Sequence, residues 1–179
     1  AQDSQLQVGK SIWVAGHSGP ETAEDFRTHF GIFAPGVTQL FPEGHIINLH
    51  PWEYNEVPVM LGATLKTDIP IIALHLTRPS IEIPDRDKLK MDSHFEASRG
   101  AYRIKDYDDD RQKEGVVLVR GTSVISELCK FLPQLITEGP NVKIIAALSW
   151  GLFDLQVEDY KTALMNGDEW LDCMVITNT

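Results

Sequence analysis

Three features of the sequence predict an α/β protein with mostly parallel sheets. Short apolar runs rich in β-branched residues recur at 11–16, 45–49, 70–76, 115–120, 142–148 and 172–177. Between several of them lie stretches whose apolar residues return every three or four positions, the spacing of one helical face. The runs are continuous rather than alternating, as expected of strands covered on both faces of a parallel sheet. Strand, helix and strand read twice give two small three-layer α/β segments, 1–85 and 115–179, joined by a linker at 86–114.

Taken in order, residues 1–10 are polar and are expected to fray. Ser11, Ile12, Trp13, Val14 and Ala15 read as a strand that delivers His17 into a polar segment punctuated by Gly19, Pro20 and Gly31. Residues 33–41 are apolar but broken by Pro35, Gly36 and Pro42, which leaves room for a short helix. The strand at 45–49 sits between Gly44 and Pro51. Asn55 then reads as a cap, and Val57, Met60, Leu61, Thr64 and Leu65 form one helical face. Pro58 is tolerated there because a first-turn amide has no helical partner to lose. The run at 70–76 closes a βαβ unit and leaves Thr77 and Arg78 at its carboxyl end, where open α/β sheets bind ligands. Arg78 is therefore a candidate anion ligand.

Residues 80–114 are rich in Pro, Asp, Lys and Arg and read as an interdomain linker, in which the acidic run Tyr107, Asp108, Asp109, Asp110 is a solvated loop because like charges repel. The second segment opens with the strand at 115–120 and a helix capped by Ser123. That helix buries Val124, Leu128, Phe131, Leu132 and Leu135, ends near Gly139, and should be kinked or shortened by Pro133. A strand at 142–148, a helix at 154–165 through Val157, Tyr160 and Leu164, and a strand at 172–177 complete it.

Composition limits the partners. A formal net charge of -10 with no Lys/Arg cluster argues against nucleic acid, whose phosphates need a basic face. No apolar run approaches the roughly 20 residues of a membrane span, so no membrane partner is expected. Cys129 and Cys173 lie in apolar patterns and read as buried thiols of a cytoplasmic protein, with neither a zinc framework nor a disulfide scaffold. His45, His50, His75 and His94 show no spacing that suggests a common site.

The chemistry-bearing stretch is 17–31. If 23–29 is helical, Asp25 and His29 lie four residues apart on one face and His17 can converge with them from the strand end. Such a group can bind sugar hydroxyls or phosphate. It can also bind zinc or iron as a two-histidine, one-carboxylate set, or it can be a structural loop with incidental histidines.

His17, Asp25 and His29, with the pairs Glu24-Asp25 and Thr28-His29, resemble the transketolase stretch written H-D-S-x-G-x-G-E-D-G-P-T-H-Q. Phe26-Arg27 replaces Gly-Pro, and Phe30 replaces Gln. Residues 48–56, Asn-Leu-His-Pro-Trp-Glu-Tyr-Asn-Glu, resemble the family's R-P-A-D-x-N-E segment. Residues 70–78 resemble its proline-led strand ending Leu-Ser-Arg, with Thr77 for Ser. Gly121-Thr122-Ser123 and residues 148–156 resemble the opening turn and the S-x-x-x-F-D-x-Q segment of its C-terminal domain.

The resemblance implies a thiamine diphosphate-dependent enzyme, with a divalent metal, that moves a two-carbon ketol unit between sugar phosphates. It places 1–85 in part of the pyrimidine-binding domain and 115–179 in part of the C-terminal domain. It implies that His17 and Arg78 hold the substrate phosphate, that Asp25 accepts from a sugar hydroxyl, and that His29 contacts an oxygen of the two-carbon unit. The cofactor's activating glutamate and its diphosphate-binding domain have no counterpart here. A fragment or subunit is thus expected, inactive and cofactor-free by itself and completed by the remaining domains or a complementary subunit in a homo-oligomer. A homodimeric pyruvate dehydrogenase E1 is the neighbouring expectation, because residues 98–102 resemble its K-G-I-Y segment. A noncatalytic interaction module is a third.

Overall fold

The computed structural model describes residues 9–16, 33–78 and 80–177, with backbone alone for 33–35. Two sheets organise them. In the first, β1 (Ser11–Ala15), β3 (Ile71–His75) and β2 (Ile46–Leu49) run parallel in the order β1-β3-β2. In the second, β4 (Ala101–Lys105), β6 (Lys143–Ala147), β5 (Val116–Arg120) and β7 (Cys173–Thr177) follow the order β4-β6-β5-β7, parallel except for β4. The α/β class with mostly parallel sheets is therefore the observed one.

Burial follows topology. The central strand β3 hides Ile72, Ala73, Leu74 and His75; of the edge strands, β2 and β4 are covered where the two sheets share a core, whereas β1 and β7 leave Trp13, Val14, Met174 and Val175 exposed. Helix α1 (Phe33–Thr38) precedes β2, and α2 (Glu56–Leu65) crosses from β2 to β3. Its buried face presents Met60 and Thr64. Asn55 does not cap α2 through its side chain; the Glu53 carboxylate instead accepts the Asn55 backbone N–H at 2.9 Å.

Helix α4 (Thr122–Glu138) joins β5 to β6 and buries Ile125, Cys129 and Leu132. Its cap is Gly121, two residues before the expected Ser123, at φ 110°, a conformation glycine adopts without Cβ strain. It also runs on through Pro133 to Glu138 instead of stopping short. The helix expected at 154–165 is divided into α5 (Trp150–Asp154) and α6 (Glu158–Leu164), followed by α7 (Gly167–Leu171). A serine cap starts α5: Ser149 Oγ accepts the Leu152 N–H. Cys129 is buried as expected, but Cys173, in the largely exposed β7, is only half-buried.

The stretch 86–114, read as an interdomain linker, is more structured than that reading implies, although its acidic run Asp108, Asp109, Asp110 is an exposed loop as expected. It contains α3 (Arg86–Leu89), a 3-10 helix (His94–Arg99) and β4. Ala101, Tyr102 and Ile104 of β4 are buried, and β4 pairs antiparallel with β6. Strand pairing satisfies its backbone and a shared core takes its apolar side chains, so local charge density did not decide its state. One core unites Ile47, Leu49 and Ile72 of the first sheet with Tyr102, Val119, Ile144 and Leu148 around the second.

Candidate functional site between the two sheets

Parallel strands deliver their carboxyl ends to one rim, and here the rims of both sheets meet. The His50 backbone N–H, just after β2, donates to Leu148 O, just after β6, at 2.9 Å. Thr77, after β3, donates through Oγ1 to Thr122 Oγ1 at the start of α4, at 2.8 Å. Beside this hydroxyl pair opens a cavity of about 330 Å³ walled by Trp52, Tyr54, Val57, Leu76, Thr77 and Thr122. An enclosed apolar space with a few convergent polar groups at strand ends is the usual form of a small-molecule site in α/β proteins.

Two polar clusters flank this junction. On one side the buried imidazoles of His50 and His75 stack face to face, ring centroids 4.4 Å apart and planes 5° from parallel. His75 Nε2 lies 2.9 Å from Asn48 Oδ1, so the amide oxygen, as assigned, fixes the proton on Nε2. Burial, then His75, then the Arg120 charge hold His50 well below the usual imidazole range. Burial and Arg120 take His75 down to about 4. Both rings are neutral at pH 7, which is why they can stack.

On the other side a guanidinium sits among carboxylates. Arg86 Nη2 donates to Glu53 Oε1 and Glu56 Oε1, each at 3.0 Å, and to Tyr102 Oη at 3.1 Å. Tyr102 donates to Glu56 Oε1 at 2.5 Å, and Trp52 Nε1 donates to Tyr102 Oη at 2.7 Å. The Arg86 guanidinium also lies 5.2 Å from the Tyr102 ring and 5.6 Å from the Trp52 ring. Burial raises Glu56 to about 7 against the opposing pull of Tyr102, Arg86 and the Trp52 N–H.

Arg78 is exposed at the carboxyl end of β3, beside Thr77, at the position expected of an anion ligand. His17, Asp25 and His29 lie outside the described residues. The strand preceding them ends with Ala15 in register with His75. Among the described residues no three His, Cys, Asp or Glu side chains are grouped to hold a metal ion.

The sequence reading missed the pairing of His50 with His75, the Arg120 beside them, and the Glu53, Glu56, Arg86, Tyr102 cluster. A signal for the imidazoles existed. His50 and His75 stand at the ends of two strands of one βαβ unit, which topology makes neighbours. No spacing announced the second cluster, whose members come from 52–56, 86 and 102.

No protein-family model matches the chain. Curated relatives do. It is 26% identical over 167 residues to the transketolase of Staphylococcus epidermidis, covering 92% of this chain and 24% of that one. It is 28% identical over 165 residues to a chloroplastic transketolase of Craterostigma plantagineum, covering 90% of this chain and 30% of that one. The chain thus spans about a quarter of the length of these relatives. Among solved structures, transketolase from Leishmania mexicana superposes with a TM-score of 0.62 at 20% identity, covering 93% of this chain and 22% of that one. A transketolase mutant from Pichia stipitis in complex with fructose 6-phosphate gives a TM-score of 0.60 at 22% identity, covering 86% and 21%. Along nearly its whole length, in sequence and in fold, this chain is transketolase-like.

Proposed function

We propose that this chain supplies the sugar-phosphate-gripping part of a transferase that moves a two-carbon ketol unit between sugar phosphates. The observation that carries the reading is the match to transketolases along 90–92% of the chain, with Arg78 standing exposed at the end of β3. Pichia stipitis transketolases have been crystallised with fructose 6-phosphate, sedoheptulose 7-phosphate and xylulose 5-phosphate, which names the substrate class.

In this reading the planar fork of Arg78 and a His17 N–H hold the substrate phosphate, because a fixed guanidinium matches phosphate oxygens two at a time. Asp25 accepts from a hydroxyl beside the carbonyl. His29 stabilises or shuttles the proton on the oxygen of the two-carbon unit. Residues 1–85 and 115–179 form parts of the pyrimidine-binding and C-terminal domains, with 86–114 between them. Thiamine diphosphate, with its metal, would be held by other domains or a complementary subunit of a homo-oligomer and would supply the electron sink for carbon–carbon cleavage.

The test uses the assembled enzyme that contains these residues, with thiamine diphosphate, magnesium and fructose 6-phosphate as donor. Arg78→Ala should raise the KM for that donor by about 10- to 100-fold while changing kcat by less than about threefold, and should leave a non-phosphorylated ketose unaffected. An unchanged KM would remove Arg78 from the site. Turnover of pyruvate in place of sugar phosphates would transfer the chain to the pyruvate dehydrogenase E1-like reading.

A further inference from the structure

The cavity beside the Thr77–Thr122 hydroxyl pair suits a different ligand from the sugar phosphate assigned to Arg78. No lysine, arginine or histidine is among its described lining residues. Glu53, its one acidic member, is already committed: Oε1 accepts from Arg86 Nη2 at 3.0 Å and Oε2 from the Asn55 N–H at 2.9 Å. The Trp52 indole N–H is committed as well, to Tyr102 Oη at 2.7 Å. A phosphate or carboxylate placed here would lose its water and meet no cation, so the cost of burying charge excludes it. An uncharged occupant pays no such penalty.

The rest of the wall is apolar and partly aromatic. Trp52 is fully buried and held by the Arg86 cluster, Tyr54 is 56% exposed and stands at the opening, and Val57, Leu76 and Ile81 are half-buried around them. Ring faces and edges attract other rings beyond what area alone gives, which favours an aromatic occupant. Size sets the number of rings. The cavity holds about 330 Å³, against roughly 150 Å³ for one that takes a single benzene ring, so a fused pair or a substituted ring fits. Polar recognition comes from the hydroxyl pair. As assigned, Thr77 Oγ1 gives its proton to Thr122 Oγ1 at 2.8 Å, so towards a ligand it can only accept.

We infer that this cavity is a binding site for a small uncharged aromatic molecule of one or two rings that carries a hydrogen-bond donor, such as an indole or a phenol. The rings lie against Trp52 and Tyr54, and the ligand's N–H or O–H donates to Thr77 Oγ1. An occupant sits one residue from Arg78, in the position of an effector beside the rim. The site does not depend on ketol transfer and stands whether or not that reaction does.

The experiment titrates the full chain with indole and, in parallel, with benzofuran, which has the same shape and an ether oxygen in place of the N–H. The Val57 and Leu76 methyl signals are followed by NMR. Saturable shifts at both residues are expected, with indole bound roughly threefold to tenfold more tightly, the worth of one neutral hydrogen bond. Thr77→Val keeps the side-chain shape and removes the acceptor. In that variant indole should fall to the affinity of benzofuran or below it, while benzofuran changes by less than about twofold. Fructose 6-phosphate should not displace indole.

No saturable change at Val57 and Leu76 with indole overturns the proposal. Benzofuran bound as tightly as indole by the parent chain overturns it too, and needs no variant to fold. Unchanged indole affinity in a folded Thr77→Val chain does the same, as does displacement by fructose 6-phosphate, which would return the cavity to the sugar. Binding is read without turnover, so failure here leaves the Arg78→Ala kinetics as a separate test of ketol transfer.

Discussion

The imidazole pair and the carboxylate–guanidinium cluster are both buried, both polar, and both packed where the two sheets meet. They resolve the cost of burial in opposite ways. His50 and His75 discard their charges: desolvation lowers both, and two neutral rings stack. Glu53, Glu56 and Arg86 keep opposite charges in contact, and Tyr102 and Trp52 fill remaining hydrogen-bonding sites on the carboxylates. Even so, burial raises Glu56 to about 7, so two carboxylates around one guanidinium are more negative than this interior favours. The first solution gives up charge altogether, whereas the second keeps it, ties α2, α3 and β4 together, and leaves the buried Arg86 Nε without a hydrogen-bond partner among the described residues.

Removing the cation is the harshest way to break the comparison. Arg86→Met leaves Glu53 and Glu56, whose side chains are 0% exposed, facing each other without a counter-charge. Stripping one partner from a buried ion pair costs about 3–5 kcal/mol, so the urea midpoint should fall steeply. The loss should be larger at pH 8 than at pH 5, because Glu56 can take up a proton at the lower pH. A variant as stable as the parent at pH 8 would mean that the cluster contributes nothing to holding the elements together.

The next largest effect is the pH dependence of stability, where the two clusters oppose each other. Glu56 is raised from 4.5 in the unfolded chain to about 7 in the folded one, so the folded state binds the proton more tightly. Its contribution is complete below about pH 4.5 and is lost as pH rises through 7. His75 is lowered from 6.5 to about 4, so its contribution is complete above pH 6.5 and is lost as pH falls through 4. Each full swing is on the order of 3 kcal/mol. Because the two opposing windows overlap between about pH 4.5 and 6.5, most of each swing cancels there, and unfolding free energy measured by urea titration across pH should form a shallow plateau in that range. Glu56→Gln should remove the opposing slope and uncover a rise in stability on the order of 3 kcal/mol between about pH 4 and 6.5; a curve unchanged in that variant would assign the opposing slope to another group.

How much of this was readable in the sequence follows from which interactions are local. The parallel strands were legible because continuous β-branched runs such as Ile71, Ile72, Ala73, Leu74 need two covered faces to be stable. Strand β4 was not. Its five residues, Ala-Tyr-Arg-Ile-Lys, lie in charged surroundings, and only pairing with β6, about forty positions on, makes them a strand. Arg78 was legible because the end of a predicted strand is a position sequence can locate. Glu56 and Arg86 were not, because their meaning depends on a contact across 30 residues. Within α4 the balance also tipped: Pro133 removes one helical amide, but burial of Ile125, Cys129 and Leu132 along the same face keeps the helix whole.

The smallest of these effects falls at the position that joins the two clusters. Gly100 O accepts the Leu148 N–H at 2.9 Å and the Ser149 N–H at 2.7 Å, while Leu148 O accepts the His50 N–H. Two residues further along, Tyr102 enters the carboxylate cluster. Gly100 sits at φ 85°, and a Cβ there would collide with Ser149 O and Phe153 N, both backbone atoms that cannot swing aside. Gly100→Ala should therefore cost about 2 kcal/mol or more, from left-handed strain together with overpacking. Because the displaced backbone carries His50 on one side and Tyr102 on the other, the same variant should shift the His50 ring signal and the Tyr102 environment together. A shift confined to one of them would mean that the clusters are independent, and that the contact between the sheets passes through the apolar core alone.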